Sequence, residues 1–125
     1  MARLSLTAQA QQIIATRVSN GDAVIDATLG NGHDALFLAQ CVGADGVVFG
    51  FDVQTQAIAN TQQLLSQLED QASTQCLLAS HADMLQWIPD TFHGRIKAIM
   101  FNLGYLPGGD KSCITQVDST IPGLN

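Results

Sequence analysis

The sequence is poor in charge, and above all in positive charge. Its 125 residues include only 5 Lys and Arg against 11 Asp and Glu, which gives a net charge of −6 at pH 7. Domains that hold nucleic acid through its phosphates concentrate Lys and Arg on one face, so this composition argues against an electrostatic nucleic-acid grip by the domain as a whole. A nucleic-acid substrate remains open, because a local patch or a further segment can supply the contact.

Long apolar runs and paired cysteines are also lacking. No uninterrupted apolar stretch approaches the roughly 18–20 residues of a membrane span, and the segment from Met1 to Thr7 lacks the pattern of a secretory signal. The cysteines are odd in number and far apart, so neither a disulfide framework nor a zinc-binding C-x-x-C motif is indicated. We expect a cytoplasmic protein without membrane or metal, with three reduced thiols at Cys41, Cys76 and Cys113.

What is present is enough apolar sequence for one packed domain. Hydrophobic residues make up 46% of the chain, and neither a repeat nor a linker interrupts it, so residues 1–125 are expected to form a single domain. Strand-like runs at 23–27, 47–51, 75–79 and 95–101 alternate with helical patterns at 6–18, 35–41, 54–68 and 84–88. This alternation predicts a Rossmann-like, doubly wound α/β fold with a parallel sheet. Trp87 is expected in its core, together with Met84, Leu85 and Ile88.

The end of the sequence has the composition of a helix start. Ser119 and Thr120 are capping residues, and Pro122 suits the first turn that follows them. Only three residues remain after Pro122. We therefore expect a sheet truncated after the fourth strand and a domain lacking its C-terminal strands.

The stretch from Asp26 to Asp34 lies between the first predicted strand and the next helix. Gly30 and Gly32 allow a ligand to approach the main chain, and ligands of doubly wound sheets bind at this end of the strands. Asp52 closes the second strand, 52 − 32 = 20 residues after Gly32, where a carboxylate can accept both hydroxyls of a ribose. Gln54 stands beside it. The combination predicts an adenosine-type ligand.

Two cofactor classes fit this loop. The spacing Gly30-x-Gly32-x-x-Ala35 matches the dinucleotide pattern of an NAD-binding oxidoreductase domain. The carboxylate of Asp26, just before the loop, would repel a pyrophosphate but attract the sulfonium and ammonium groups of S-adenosylmethionine. Asp34 adds negative charge, although an acid there also suits a helix N-terminus. We favour S-adenosylmethionine and keep NAD as the alternative.

Polar residues also follow the third predicted strand. Ser80 or His81 could touch the cofactor, and Asp83 could accept a hydrogen bond from the adenine amino group. Asp83 is equally well explained as the N-cap of the short helix at 84–88. His33, at the start of its helix, could contact the cofactor or line the loop.

The fourth strand is predicted to end in Asn102, followed by Tyr105 with the spacing N-x-x-Y. Methyltransferases acting on amino nitrogens have N/D-P-P-Y at this place, where the polar group accepts from the target N–H and the aromatic ring stacks on the substrate. Leu103 and Gly104 replace the two prolines here, so the match is partial. The alternative is a Gly- and Pro-rich turn with a packing tyrosine.

These segments together resemble a known family. They are similar to the putative rRNA methylases, a family that includes the MnmM-type tRNA methyltransferases. The residues that carry the resemblance are Asp26-Ala-Thr-Leu-Gly-Asn-Gly-His-Asp34, the pair Asp52 and Gln54, Ser80-His81, and Phe101-Asn-Leu-Gly-Tyr-Leu-Pro-Gly-Gly-Asp-Lys111. The resemblance covers about residues 21–123. It implies a class I S-adenosylmethionine-dependent methyltransferase fold whose sheet is parallel in its N-terminal half. It also implies a tRNA substrate, in which the aminomethyl group of 5-aminomethyl-2-thiouridine at the wobble position is methylated.

The resemblance also assigns roles to residues. Asn102 and Tyr105 would lie at the acceptor nitrogen as the catalytic pair. With the residues of the Gly loop, the cofactor-binding set becomes Asp26, Thr28, Gly30, Asn31, Gly32, His33, Asp52, Gln54, Ser80, His81 and Asp83. Because family members continue beyond the end of this chain, a non-catalytic cofactor-binding fragment is a further alternative. A homodimer could complete the sheet.

Overall fold

The structure is a computed structural model that describes residues 6–68, 73–105 and 111–117. Its helices are α1 (Leu6–Arg17), α2 (His33–Val42), α3 (Thr55–Leu65) and the single turn α4 (Met84–Trp87). Its strands are β1 (Ala23–Asp26), β2 (Val47–Asp52), β3 (Ser73–Leu78), β4 (Ile96–Tyr105) and β5 (Lys111–Val117). Short 3-10 turns at His81–Asp83 and Asp90–Phe92 join β3 to β4 on either side of α4.

The strands form one sheet in the order β3-β2-β1-β4-β5. The pairs β1–β2, β1–β4 and β2–β3 are parallel, and Val24 of β1 lies level with Val48 on one side and Ala98 on the other. All four residues of β1 are buried, as expected of a central strand with both faces covered. The predicted α/β fold with a parallel N-terminal sheet is confirmed.

Each face of the sheet has its own apolar cluster. On the face covered by α1, α2 and α3, Val24 and Val48 pack with Ile14 and Leu38. On the opposite face, Ile25, Phe49, Phe51, Ile88 and Ile99 form the second cluster, in which the ring of Phe92 meets that of Phe49 edge-on at 5.1 Å. Burying each such side chain contributes about 1.5–3 kcal/mol. These two layers hold the carboxyl ends of β1 and β2 in fixed register.

The fourth strand differs from the sequence prediction at its end. β4 continues through Asn102 to Tyr105, and β5 pairs with it in the antiparallel sense, with Asn102 opposite Cys113 and Tyr105 opposite Lys111. β5 was not predicted from the sequence, although Ile114, Thr115 and Val117 are residues with high strand propensity. The helix start expected at 119–122 lies outside the described residues.

The expectation for Trp87 was wrong. Its side chain is 50% exposed and that of Leu85 is 45% exposed, whereas Ile88 is buried and Met84 is partly buried against the second cluster. α4 is only one turn long, so it can direct few side chains towards the sheet. No helix within the described ranges is long and apolar enough to cross a membrane.

Candidate functional site at the carboxyl ends of the strands

The loop between β1 and α2 is attached to the strands on both sides of β1. The N–H of Ala27 donates to the carbonyl oxygen of Met100 in β4 (2.8 Å), and that of Leu29 donates to Phe51 O in β2 (3.0 Å). The Leu29 side chain is buried against Gly50, where a Cβ atom would collide with it. Because backbone and side chain both fix Leu29, the following residues Gly30 and Asn31 project from a rigid base.

The two glycines of this loop have different roles. Gly30 has φ +56°, and a Cβ added to it would meet nothing within 4 Å, so its backbone faces open space. Gly32 has φ +91°, and its added Cβ would lie 2.9 Å from the Thr61 Cα in α3. Gly30 therefore leaves the main chain accessible to a ligand. Gly32 instead allows the loop to pack against α3, a role that the sequence analysis did not assign to it.

Asp52 joins this loop to the end of β2. Its Oδ2 accepts the N–H of Gly30 (3.0 Å), and its Oδ1 accepts the N–H of Gln54 (2.9 Å). A carboxylate oxygen has two lone pairs, so each oxygen can accept a second hydrogen bond. The same side chain can therefore hold the Gly loop in place and bind a pair of ligand hydroxyls.

A cleft of about 290 Å³ opens beside Asp52. It is lined by Ala27, Thr28, Asp52, Val53, Ala79, Ser80 and His81. Val53 is 66% exposed, so the cleft combines a carboxylate and hydroxyls with an apolar contact surface. Ser80 Oγ accepts the N–H of Ala82 (3.1 Å) and so fixes the turn that presents His81. The His81 ring meets that of Phe101 edge-on at 5.5 Å, which links the cleft to the residue before Asn102.

The cleft brings together four of the residues predicted to bind the cofactor, Thr28, Asp52, Ser80 and His81, and Gly30 adjoins them through its bond to Asp52. Asp26 is fully buried beneath the loop, where its Oδ1 accepts the N–H of Thr28 (3.2 Å). It therefore fixes the start of the loop and does not line the cleft.

The remaining predicted residues lie outside the cleft lining. Asn31 and His33 line a separate groove against α3, and Gln54 is exposed beside Asp52. Asp83 is exposed in the N-cap position of α4 but makes no side-chain capping bond. Asn102 and Tyr105 are in β4, and their side chains lie outside the described residues.

Val53 is a cleft residue that was not predicted from the sequence. An apolar residue immediately after Asp52, the last residue of β2, could have indicated this position, because a side chain beyond the end of the strand cannot reach the core of the sheet. Its exposure and its place in the cleft depend on the turn between β2 and α3, which the sequence pattern does not specify.

Negative charge lies under and beside the cleft. Asp26, Gly50 and Cys76 are level with one another across β1, β2 and β3, and no Gly50 side chain separates the other two. Burial raises the pKa of the Cys76 thiol, and the charge of Asp26 raises it further. With Asp52, Asp26 makes the site suited to a ligand with a positive group and ribose hydroxyls. No group of three or more His, Cys, Asp or Glu within the described ranges could hold a metal ion.

Solved structures share this fold. A putative rRNA methylase from Clostridium thermocellum is 42% identical, with a TM-score of 0.74 over 93% of this chain and 60% of its own. A putative methyltransferase from Streptococcus mutans, solved in complex with S-adenosylhomocysteine, is 30% identical, with a TM-score of 0.71 over 87% of this chain and 57% of its own. The fold is thus that of the class I S-adenosylmethionine-dependent methyltransferases.

The family follows from the sequence comparison. A family model described as "Putative rRNA methylase" matches residues 48–125, and the chain belongs to that family. The tRNA (mnm5s2U34)-methyltransferase of Arabidopsis thaliana chloroplasts is 39% identical over 86% of this chain and 41% of its own length. The chain thus spans between about two fifths and three fifths of these relatives. The prediction of S-adenosylmethionine over NAD is confirmed for the family.

Proposed function

We propose that this chain is the cofactor-binding and catalytic part of an RNA methyltransferase that methylates the aminomethyl nitrogen of 5-aminomethyl-2-thiouridine at the wobble position of tRNA. The plant relative bears the name of an enzyme for this nucleoside position. The observation that carries the proposal is the meeting of two segments at one edge of the sheet. Asp26 is level with Met100, so Asn102 follows only two residues later, beside the start of the Gly loop.

The cleft residues fit the cofactor in their chemistry. The Asp52 carboxylate would accept the ribose hydroxyls, the Gly30 backbone leaves room for close approach, and Val53 offers an apolar surface for the adenine. When bound, S-adenosylmethionine supplies a methyl group activated by its positive sulfur. The acidic surroundings formed by Asp26 and Asp52 stabilise that positive charge in the bound state.

The acceptor nitrogen must present a lone pair, so it must be an uncharged amine. An amide oxygen at Asn102 can accept one N–H of that amine and so orient its lone pair. The ring of Tyr105 would stack on the base and restrain its position. Alignment of this kind lowers the barrier to methyl transfer without a strong general base.

The first experiment is a calorimetric titration of the chain with S-adenosylhomocysteine, with NADH as the control ligand. Binding of S-adenosylhomocysteine alone is expected. Labelled methyl transfer is then measured to tRNA carrying 5-aminomethyl-2-thiouridine, with fully modified tRNA as the control. Transfer only to the former is expected.

Substitutions separate binding from catalysis. We expect Asn102→Ala and Tyr105→Ala to lower turnover by at least about 10-fold, the size of a lost positioning contact, while the affinity for S-adenosylhomocysteine is unchanged. The control Gln62→Ala, on the exposed side of α3, should retain full activity. Cofactor binding without transfer to any RNA would instead favour a non-catalytic fragment, which the partial coverage of the relatives makes the second candidate.

A further inference from the structure

A second depression lies at the end of the Gly loop, at Asn31 and His33, whereas the cofactor cleft is lined by the start of the loop, at Ala27 and Thr28. The depression has a volume of about 280 Å³ and is lined by Asn31, His33, Asn60, Gln63, Leu64 and Gln67. Four of these six side chains are carboxamides. We call it the amide groove. Its walls are the end of the Gly loop and the exposed side of α3 with the turn that follows it.

The α3 wall of the amide groove is free of charge. No Asp, Glu, Lys or Arg occurs from Val53 to Leu68, in a chain whose net charge is −6. A solvent-exposed helix is ordinarily rich in charged residues. Here Gln56, Asn60, Gln63 and Gln67 succeed one another at helical spacing along one side. This pattern places uncharged hydrogen-bond donors and acceptors beside the Gly loop.

One of these amides is already oriented. The Gln56 Nε2 donates to the Asn60 Oδ1 (2.8 Å), which leaves the Asn60 amide nitrogen available as a donor. Asn60 is half-buried, whereas Gln63 and Gln67 are exposed. Leu64 supplies an apolar patch among the amides, and the exposed ring of His33 stands on the opposite wall.

The two walls are held at a fixed separation. Gly32 packs so closely on Thr61 that an added Cβ would lie 2.9 Å from both its Cα and its Oγ1, and Thr61 is fully buried. Gly32 lies between Asn31 and His33, and Thr61 is adjacent to Asn60. The contact thus connects the residues that line opposite walls, so the groove is formed before any ligand arrives.

The chemistry of the lining selects one kind of ligand. Electrostatic binding of the phosphate backbone requires cations, and no Lys or Arg lines the groove. An amphipathic peptide helix requires a continuous apolar surface, whereas Leu64 is the single aliphatic residue in the lining. Carboxamides pair with the donor and acceptor edges of nucleobases, and histidine and apolar side chains stack on their faces.

We propose that the amide groove binds unpaired nucleobases of the RNA substrate. This inference rests on the proposed function for the identity of the partner. It also accounts for RNA recognition by an acidic domain, because contacts to base edges need no positive surface. Single-stranded loops expose such edges, whereas the bases of a duplex are inaccessible.

The test is the affinity for labelled RNA, measured by fluorescence anisotropy on the full chain. The probes are single-stranded oligoadenylate and oligouridylate, with a duplex RNA for comparison. The variant Gln63→Ala/Gln67→Ala is compared with Gln62→Ala, which removes an exposed amide of α3 that does not line the groove. We expect the first variant to bind the single strands about 10-fold more weakly, the order of one lost amide–base pair, and the control to match wild type.

Salt dependence distinguishes base contacts from phosphate contacts. Loss of a base contact lowers affinity by the same factor at about 50 and 200 mM salt, whereas loss of a phosphate contact changes the slope. We expect parallel slopes for wild type and variant. Equal affinities of the variant and the control, or a wild type that prefers duplex RNA, would overturn the inference.

Methyl transfer to tRNA is measured on the same proteins. If wild type transfers methyl groups and the groove variant has an unchanged KM for tRNA, the groove assignment fails while the proposed function stands. If wild type binds single strands through the groove amides but does not methylate tRNA, the proposed function fails and the groove assignment stands. A raised KM with unchanged kcat supports both.

Discussion

Asp52 and Gly30 are joined by a hydrogen bond of 3.0 Å from the Gly30 N–H to Oδ2 of the carboxylate. The bond connects the end of β2 to the one loop glycine whose missing side chain opens onto free space. The second carboxylate oxygen holds the N–H of Gln54 at the entry to α3. One side chain thus sets the positions of two loops that border the cleft, while its remaining lone pairs can accept hydrogen bonds from a ligand.

Substitution of Asp52 is expected to abolish cofactor binding. Asp52→Ala removes two charge-assisted hydrogen bonds within the protein and the acceptors for the ribose hydroxyls, each contributing about 1.5–3 kcal/mol. We expect the affinity for S-adenosylhomocysteine to fall by at least about 100-fold in calorimetry, since about 1.4 kcal/mol corresponds to a factor of ten. Asp45→Ala, in the exposed turn before β2, is the control and should bind normally. An unchanged affinity of Asp52→Ala would refute the site.

The glycines provide a second prediction, because Gly21, Gly30 and Gly32, three of the five described glycines with a positive φ, differ in their surroundings. Gly32→Ala should be the most destabilising, since it adds a collision with the α3 backbone at Thr61 to the strain of the left-handed conformation. We expect a loss of about 2–4 kcal/mol in the free energy of unfolding. Gly21→Ala and Gly30→Ala, whose added Cβ atoms meet nothing, should cost about 1 kcal/mol each.

Urea unfolding measures these losses, and calorimetry adds the functional contrast. Gly30→Ala should weaken S-adenosylhomocysteine binding, because its Cβ enters the space beside the cleft, whereas Gly21→Ala at the far end of β1 should not. Equal stabilities of the alanine variants at 30 and 32 would show that the packing of Gly32 on Thr61 is not tight in solution.

The sequence predicted the fold and the position of Asp52 at the end of β2 well, because both depend on local signals. Buried strands read as continuous apolar runs, and an acid at the end of the second strand has a fixed place in a βαβ unit. The separate roles of Gly30 and Gly32 could not be predicted, since they depend on Thr61, which is in a different helix. The exposure of Trp87 could not be predicted, because it results from the single-turn length of α4. The pairing of β4 with β5 could not be predicted, because β5 has little hydrophobic periodicity.

Val53 provides a third prediction. Its side chain lines the cleft and is 66% exposed. Exposure of this apolar surface to water is unfavourable, and a ligand that covers Val53 would remove it. Val53→Ala should weaken S-adenosylhomocysteine binding by up to about 15-fold, because roughly two buried methylene equivalents are lost at about 0.8 kcal/mol each and about 1.4 kcal/mol corresponds to a factor of ten. The stability of the free protein should be unchanged. Ile13→Ala, at a 52% exposed position on α1, controls for loss of surface apolar area and should leave binding unaffected.

The thiols provide a pH-dependent prediction. Burial raises the pKa of both Cys41 and Cys76, and the charge of Asp26 raises that of Cys76 further. The thiolate is the reactive form, so at pH 8 both cysteines should react with iodoacetamide several-fold more slowly in the folded chain than in urea. The rate in the unfolded chain should level off above a pH of about 8.5, the ordinary value for a thiol, while the folded rates continue to rise.

The same shift has a consequence for stability. Because the folded-state pKa values lie above the unfolded ones, the neutral thiols contribute stability that is complete below about pH 8.5 and is lost as the pH rises through the folded values. Peptide mass spectrometry resolves the rates of Cys41 and Cys76 individually, and Cys113→Ser removes the third thiol. If the folded and unfolded rates of Cys76 rise with pH in parallel, neither its burial nor the neighbouring Asp26 raises the pKa of this thiol in solution.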